Sequence, residues 1–284
     1  MSGPDAFFER AGEVAEPTAL TRGPWDPDSQ HAGPPAALLA RAIERCGHDD
    51  APAGGWTVGR ITFEILRPVP IATLRVSAAV ARPGRRVQMV EAALSDEAGT
   101  ELIRARAWRV RHGAVELPAG LASEEPDAPA RQLRGPATRS REPRRPEQLD
   151  EAADAFFPTG FDIGYHTAMD YRFDSGGFGD LGPAFCWMRM RHPLVAGEEP
   201  SPLQRVFAAA DSGNGVSSTL DFERFVFINV DLTVHLHRMP AGEWIGLDAL
   251  TTPEPTGIGL SDTILHDQRG PIGRACQTLL VAER

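Results

Sequence analysis

The 284-residue chain has no lysine, only three cysteines and two tyrosines, and no long apolar run. Cys46, Cys186 and Cys276 are odd in number and widely spaced, which fits neither a disulfide framework nor a closed zinc site, so they read as buried thiols. The hydrophobic stretches fall far short of the roughly 20 residues a membrane helix needs. The N-terminal stretch MSGPDAFFERAGE carries acidic residues where a secretory signal has basic ones before an apolar block, so a cytoplasmic location is expected. All 29 basic side chains are arginine, against 39 Asp and Glu, for a net charge of −10. That balance argues against a nucleic-acid surface and requires local arginines at any site for an anionic ligand. A G-x-S-x-G elbow, an H-E-x-x-H pair, a P-loop and a C-x-x-C are all missing, which weakens the serine-hydrolase, metalloprotease and nucleotide readings. Gly177, Gly179 and Gly182 do spell G-x-G-x-x-G. Pro183 and a strand pattern follow them, however, whereas phosphate binding needs those amides at the start of a helix.

What is present is organised around FVFINVDLTVHLHR, Phe225 to Arg238. Leu232, Val234 and Leu236 alternate with Asp231, Thr233, His235 and His237, the period-2 pattern of a half-buried strand. An offset of 171 residues lays Thr62 on Thr233, Arg67 on Arg238, Asp96 on Asp267 and Gly99 on Gly270, with Ile61 on Leu232 and Phe63 on Val234. The preserved spacing of turn, arginine and apolar alternation indicates a tandem duplication.

Each half has the same order of elements. HAGPPAALLARAIERC, His31 to Cys46, reads as a buried helix with Gly33 as N-cap and prolines in the first turn, where a missing N–H costs nothing. Four strand-like runs follow, at 56–66, 72–81, 86–94 and 101–110. A short mixed segment at 6–20 suits one or two edge strands. In the second half, 161–173 and 184–192 read as strands before the helix SPLQRVFAAADSGNG. There Ser201, Pro202 and Gln204 form a capping box and glycines supply the stop. Runs at 225–238, 243–250, 258–266 and 272–282 complete the copy. One buried helix followed by an antiparallel meander hides its apolar face by letting the sheet wrap the helix, the α+β hotdog arrangement. The expected division is a first unit at 1–112, a Pro- and Arg-rich linker at 113–150 and a second unit at 151–284.

Asp211 closes an otherwise apolar helix, VFAAAD. A carboxylate there meets the negative end of the helix dipole and loses solvation if the helix is buried, so its placement suggests a use. A capping role in the turn at 212–215 is the competing explanation. Three stretches, AAADSGNG around Asp211, FINVDLTVHLHR around Asn229 and GRACQTLLV around Gln277, resemble the C-terminal half of the bacterial acyl-CoA thioesterase II family, of the actinobacterial type. The resemblance implies a double hotdog that hydrolyses acyl-CoA thioesters without metal or redox cofactor. In that family an Asp, a hydroxyl residue and a Gln hold the attacking water; Asp211 and Gln277 match, while Asn229 stands where Thr is usual.

On this reading Asp211 is the base, and Asn229 and Gln277 orient the water. The amide of Gly33, with His31 beside it, is the candidate donor to the oxyanion. Strict alternation puts Asn229 on the face of His235 and His237, away from Leu232, unless a bulge intervenes. The 171 offset sets Arg106 opposite Gln277 and Ala40 or Arg41 opposite Asp211, so one working site is expected, not two. Trp25, Trp56, Phe207 and Trp187 are candidate walls of an acyl tunnel. Association into a homo-oligomer is expected from exposed sheet edges. Two other readings stay open: a non-catalytic acyl-thioester binder, and a hotdog hydratase or dehydratase pairing an Asp with a His.

Overall fold

The computed structural model describes residues 4–47, 55–113, 115–116, 142–152 and 159–284; most of the expected linker lies outside them. The first unit consists of β1 (Phe8–Ala11), β2 (Val14–Pro17), α1 (Gly33–Arg45), β3 (Trp56–Ile65), β4 (Leu74–Arg82), β5 (Val87–Asp96) and β6 (Glu101–Arg111). The second begins with α2 (Tyr165–Ala168), β7 (Met169–Ser175), β8 (Ala184–Met190), α3 (Pro202–Ala210) and α4 (Gly213–Val216). It ends with β9 (Phe225–Asn229), β10 (Asp231–Leu236), β11 (Ile245–Pro253), β12 (Ile258–Asp267) and β13 (Gly270–Glu283). No described helix is long and apolar enough to cross a membrane.

The strands form one sheet in the order β1-β2-β4-β5-β6-β3-β10-β13-β12-β11-β8-β7, with β9 also on β13. The long helices α1 and α3 pack together inside its curve, where Leu38, Leu39 and Phe207 are buried completely and Phe207 meets Phe63 edge-on at 5.2 Å. The architecture is an α+β double hotdog. At the seam between the units, Thr62 pairs with Thr233, Ile61 with Val234 and Phe63 with Leu232. Residues equivalent under the duplication thus exchange partners reciprocally, the pattern of a two-fold contact. The offset also carries β4 (74–82) onto β11 (245–253) and β5 (87–96) onto β12 (258–267) without remainder.

It fails at the last strand. Thr62 pairs with Arg106, but its equivalent Thr233 pairs with Cys276. The turn before β13 is therefore one residue shorter, and Gln277 corresponds to Ala107, not to Arg106. Because side chains alternate, that single slip changes the face: Gln277 and Ala107 are both buried, whereas Arg106 is exposed. Three other expectations also change. The stretch 161–173 is not a continuous strand, because Tyr165–Ala168 turns as a helix whose first amide donates to Arg22 O at 2.9 Å. Gly33 is the first residue of α1 rather than its cap, which is Ala32. Only half of the capping box forms: Ser201 Oγ accepts from the Gln204 amide at 3.2 Å, while the Gln204 side chain bonds to Glu44.

Arg238 and Asp267 fasten the exit of β10 to the end of β12. Arg238 Nη1 and Nη2 donate to the carboxylate at 2.5 and 2.7 Å, and the amides of Ala241 and Arg269 each donate at 2.8 Å. Burial alone would push the Asp267 carboxyl up; Arg238 and the two amides outweigh it and hold the group below the ordinary carboxylate range. A carboxyl whose folded value lies below its unfolded one stabilises the protein above the unfolded value, about 4. That contribution is lost as the pH falls through the folded value. The thermal midpoint of the wild type is therefore expected to fall more steeply below about pH 4 than that of Asp267→Asn; parallel slopes would contradict this.

Candidate active site

Asp211 is the C-cap of α3 and is 4 % exposed. A carboxylate buried at the negative end of a helix needs donors, and the sheet supplies two. Asn229 Nδ2 donates to Oδ1 at 2.8 Å; Gln277 Nε2 donates to Oδ1 at 3.3 Å and to the Asp211 carbonyl at 3.0 Å. Gln277 Oε1 accepts the Asn214 amide at 3.2 Å, which fixes the orientation of its side chain. All five residues singled out in the sequence meet here, because the N-terminus of α1 in the first unit packs against the C-terminal end of α3 in the second. His31 Nδ1 lies 3.2 Å from Asp211 Oδ2 and accepts the Gly33 amide at 3.1 Å. Gly33 permits this approach, since a Cβ on it would stand 2.6 Å from Ala208 O.

Asn229 faces inward because of a bulge. It sits opposite Leu279, while Thr233 sits opposite Cys276, so four steps on one strand match three on the other. Val230 is the extra residue; its amide donates to Thr278 O at 3.0 Å and its carbonyl accepts from Ile65 at 2.9 Å. The first unit has the same irregularity between Val58 and Arg60, at Gly59, which the offset lays on Val230. A glycine inside a strand signals a bulge. Read through the duplication, Gly59 predicts the inward turn of Asn229.

Tyr165, which the sequence did not single out, holds the constellation from behind. Its ring stacks on the His31 imidazole at 3.8 Å and 6°, and its hydroxyl is 2.6 Å from Ala208 O and 2.9 Å from Ser212 Oγ. A lone tyrosine after a glycine carries no spacing that ties it to a helix 43 residues on. Burial pushes its phenol far up, with Asp211 adding to the effect against the Ser212 bond, so the hydroxyl keeps its proton. Burial also lowers the His31 imidazole, and Asp211 draws it only part of the way back. A neutral ring at neutral pH leaves Nδ1 free to accept, as the Gly33 contact requires.

A narrow pocket of about 30 Å³ reaches His31, Ser212 and Asn214, with Trp25 and Phe227 among its walls. Of the four aromatics proposed as tunnel walls, only Trp25 lines it. Phe207 belongs to the main core, Trp187 packs with Leu149, Phe185 and Trp244, and Trp56 lies under the Arg109 guanidinium.

At the matching end of the first unit no such network exists among the described residues. Arg109 pairs with Val58 as Leu279 pairs with Asn229, so the offset places Val58 at Asn229 and Arg109 beside it. Its guanidinium donates to Ile43 O at 3.2 Å, Cys46 O at 3.0 Å and Gln88 Oε1 at 2.8 Å, closing the C-terminal end of α1.

Comparison with known proteins agrees with this architecture. The model for acyl-CoA thioesterase N-terminal domains matches residues 21–110, and that for acyl-CoA thioesterase C-terminal domains matches residues 143–281. No curated protein matches in sequence. Among solved structures, a protein assigned as thioesterase II from Thermobifida fusca is 17 % identical with a TM-score of 0.68, covering 97 % of this chain and 95 % of its own. A hot dog protein of unknown function from Alicyclobacillus acidocaldarius gives 16 %, 0.67, 99 % and 97 %. The acyl-CoA thioesterase II TesB2 from Mycobacterium marinum gives 13 %, 0.60, 98 % and 95 %. Likeness at these identities speaks for the fold; the paired domain matches speak for the family. The chain belongs to the acyl-CoA thioesterase family, thioester hydrolases built from two tandem hotdog domains.

Proposed function

We propose that this chain hydrolyses acyl-CoA thioesters to free acid and thiol at the Asp211 site. The observation that carries the proposal is a buried carboxylate with one oxygen held by two amides, Asn229 and Gln277, and the other left to an imidazole nitrogen 3.2 Å away. Oδ1 is occupied, so Oδ2 is the oxygen that can take a proton. Water attacks the thioester carbonyl carbon and gives its proton to Oδ2. The carbonyl electrons move to oxygen, then return as the C–S bond breaks, and the departing thiolate takes up the proton that water gave up, which returns Asp211 and His31 to their resting state. General-base assistance of this kind is worth about 10²–10⁴ in rate.

His31 couples the two halves of the reaction. In the resting site its Nδ1 occupies the Gly33 amide. A proton passed from Oδ2 to Nδ1 turns that acceptor into a donor and releases the Gly33 N–H, which then becomes available to the negative carbonyl oxygen. Asn229 in place of a hydroxyl residue suits this scheme, because an amide donates to a carboxylate as a hydroxyl does.

The test is thiol release from a panel of acyl-CoAs, short to long and including aromatic ones. Release from at least one class is expected; binding of every acyl-CoA without release would make the protein a thioester binder instead. The His31–Asp211 contact also favours a second reading, addition of water to an enoyl thioester. With crotonyl-CoA the two separate: hydration consumes the enoyl absorbance and frees no thiol.

A further inference from the structure

We propose that the acyl group admitted to this site is short, two to about four carbons, and that Phe178 sets the limit; the inference rests on the thioesterase reading above and names its substrate class. The pocket that reaches His31, Ser212 and Asn214 has a volume of about 30 Å³. A single water needs roughly 10–15 Å³ on the same measure, so the space takes two or three groups of that size. Its polar end is made by His31, whose Nδ1 lies 3.2 Å from Asp211 Oδ2, with Ser212 and Asn214 beside it. Beyond that end the walls are aromatic, with Trp25, Tyr171, Phe178 and Phe227 contributing. Such aromatic faces suit methyl and methylene groups.

Three of the four walls are fixed by the fold. Tyr171 belongs to β7 and Phe227 to β9, and Trp25 is held edge-on against Phe227 at 5.1 Å and tilted against Phe222 at 4.8 Å. Phe178 is carried by the loop between β7 and β8, and closes the space by resting its ring 5.0 Å from both Tyr171 and Phe173, at 74° and 81°. Taking the ring away would lengthen the pocket along β7 without disturbing a strand.

The glycines around Phe178 acquire a reason in the same stroke. Gly176 adopts φ +73° and would bring a Cβ within 2.8 Å of the Ala184 side chain; Gly182 adopts φ +122° and its amide donates to Ser218 O at 2.8 Å. Gly176 and Gly182 thus stand near the two ends of the connection between β7 and β8 that presents one aromatic ring to the pocket.

The experiment compares kcat/KM for thiol release from acetyl-CoA to dodecanoyl-CoA in wild type, Phe178→Ala and Phe178→Leu, the last retaining much of the packing. Wild type is expected to favour acetyl- to butyryl-CoA over octanoyl-CoA by at least tenfold, and Phe178→Ala to raise the octanoyl-to-acetyl ratio at least tenfold, with Phe178→Leu between. Equal wild-type rates on long and short chains, or an unchanged ratio in both variants, would overturn the proposal while leaving thioester hydrolysis intact. The Kd series for non-hydrolysable S-alkyl-CoA thioethers reads the same limit without turnover. If no thiol is released, a tenfold preference for short alkyl groups that Phe178→Ala abolishes still supports the size limit. Absence of both release and thioether binding would overturn the limit together with the function on which it rests.

Discussion

Asp211→Asn is expected to lower thiol release at least about a hundredfold while the protein stays folded and keeps its affinity for acyl-CoA. The hydrogen bonds allow this separation. The Asn oxygen can accept from Asn229 Nδ2 and Gln277 Nε2 as Oδ1 does, at 2.8 and 3.3 Å in the native site. Its amide nitrogen then takes the place of Oδ2, facing His31 Nδ1 across 3.2 Å, where it shares with the Gly33 amide the one lone pair of the neutral ring. The substitution keeps the shape of the side chain and its two bonds from Asn229 and Gln277, so the site stays folded. What disappears is the ability to accept a proton from water. Initial rates with the best acyl-CoA substrate, together with the thermal midpoint of each protein, decide the matter. Activity within threefold of wild type would remove Asp211 from the role of base; a lost midpoint would show that its hydrogen bonds, not its basicity, had been tested.

How far the sequence carried this reading depended on whether a feature was local, repeated or tertiary. The strands were legible because side-chain alternation is local, and the duplication extended them: β11 and β12 lie where the 171 offset puts them. Asp211 stood out because an acid at the end of an apolar helix needs an explanation. Gln277 was found through its resemblance, but its counterpart was misjudged by one residue, since an ungapped offset cannot see a turn shortened by one. Asn229 looked outward by strict alternation; the glycine that announces the bulge lies in the other repeat, at position 59. The His31–Asp211 contact joins residues 180 positions apart through the packing of two helices, and no spacing encodes it. Arg109 is legible by the same alternation: Ile103, Ala105 and Ala107 share one face of β6, and the period puts an arginine next on that buried face.

That arginine gives the other large effect: Arg109→Ala is expected to cost about 3–5 kcal/mol of stability without lowering the turnover of the molecules that remain folded. Arg109 is 2 % exposed, and among the described residues no carboxylate pairs with it. Burial draws its guanidinium below the ordinary arginine value, against a smaller opposing effect of Cys46. The charge is nevertheless tolerable because it lies against the C-terminal carbonyls of α1 at Ile43 and Cys46, the negative end of that helix, and over the Trp56 ring at 5.9 Å. Alanine leaves those carbonyls without a donor and opens a cavity. Arg109→Met restores most of the volume but not the hydrogen bonds, so its loss should fall between alanine and wild type. Urea unfolding of the three proteins measures the order, and a loss below about 1 kcal/mol for alanine would show that α1 closes without it. Turnover per folded molecule separates this role from catalysis. Two tandem units could in principle carry two sites, but where the first unit would need an acid and two amides it has Cys46 at the helix cap, Val58 on the strand and Ala107 beside it, with Arg109 filling the space between. On the proposed mechanism, a charge that serves only to close α1 can be removed without touching the reaction at Asp211, whereas removal of Asp211 leaves no second site among the described residues to carry it.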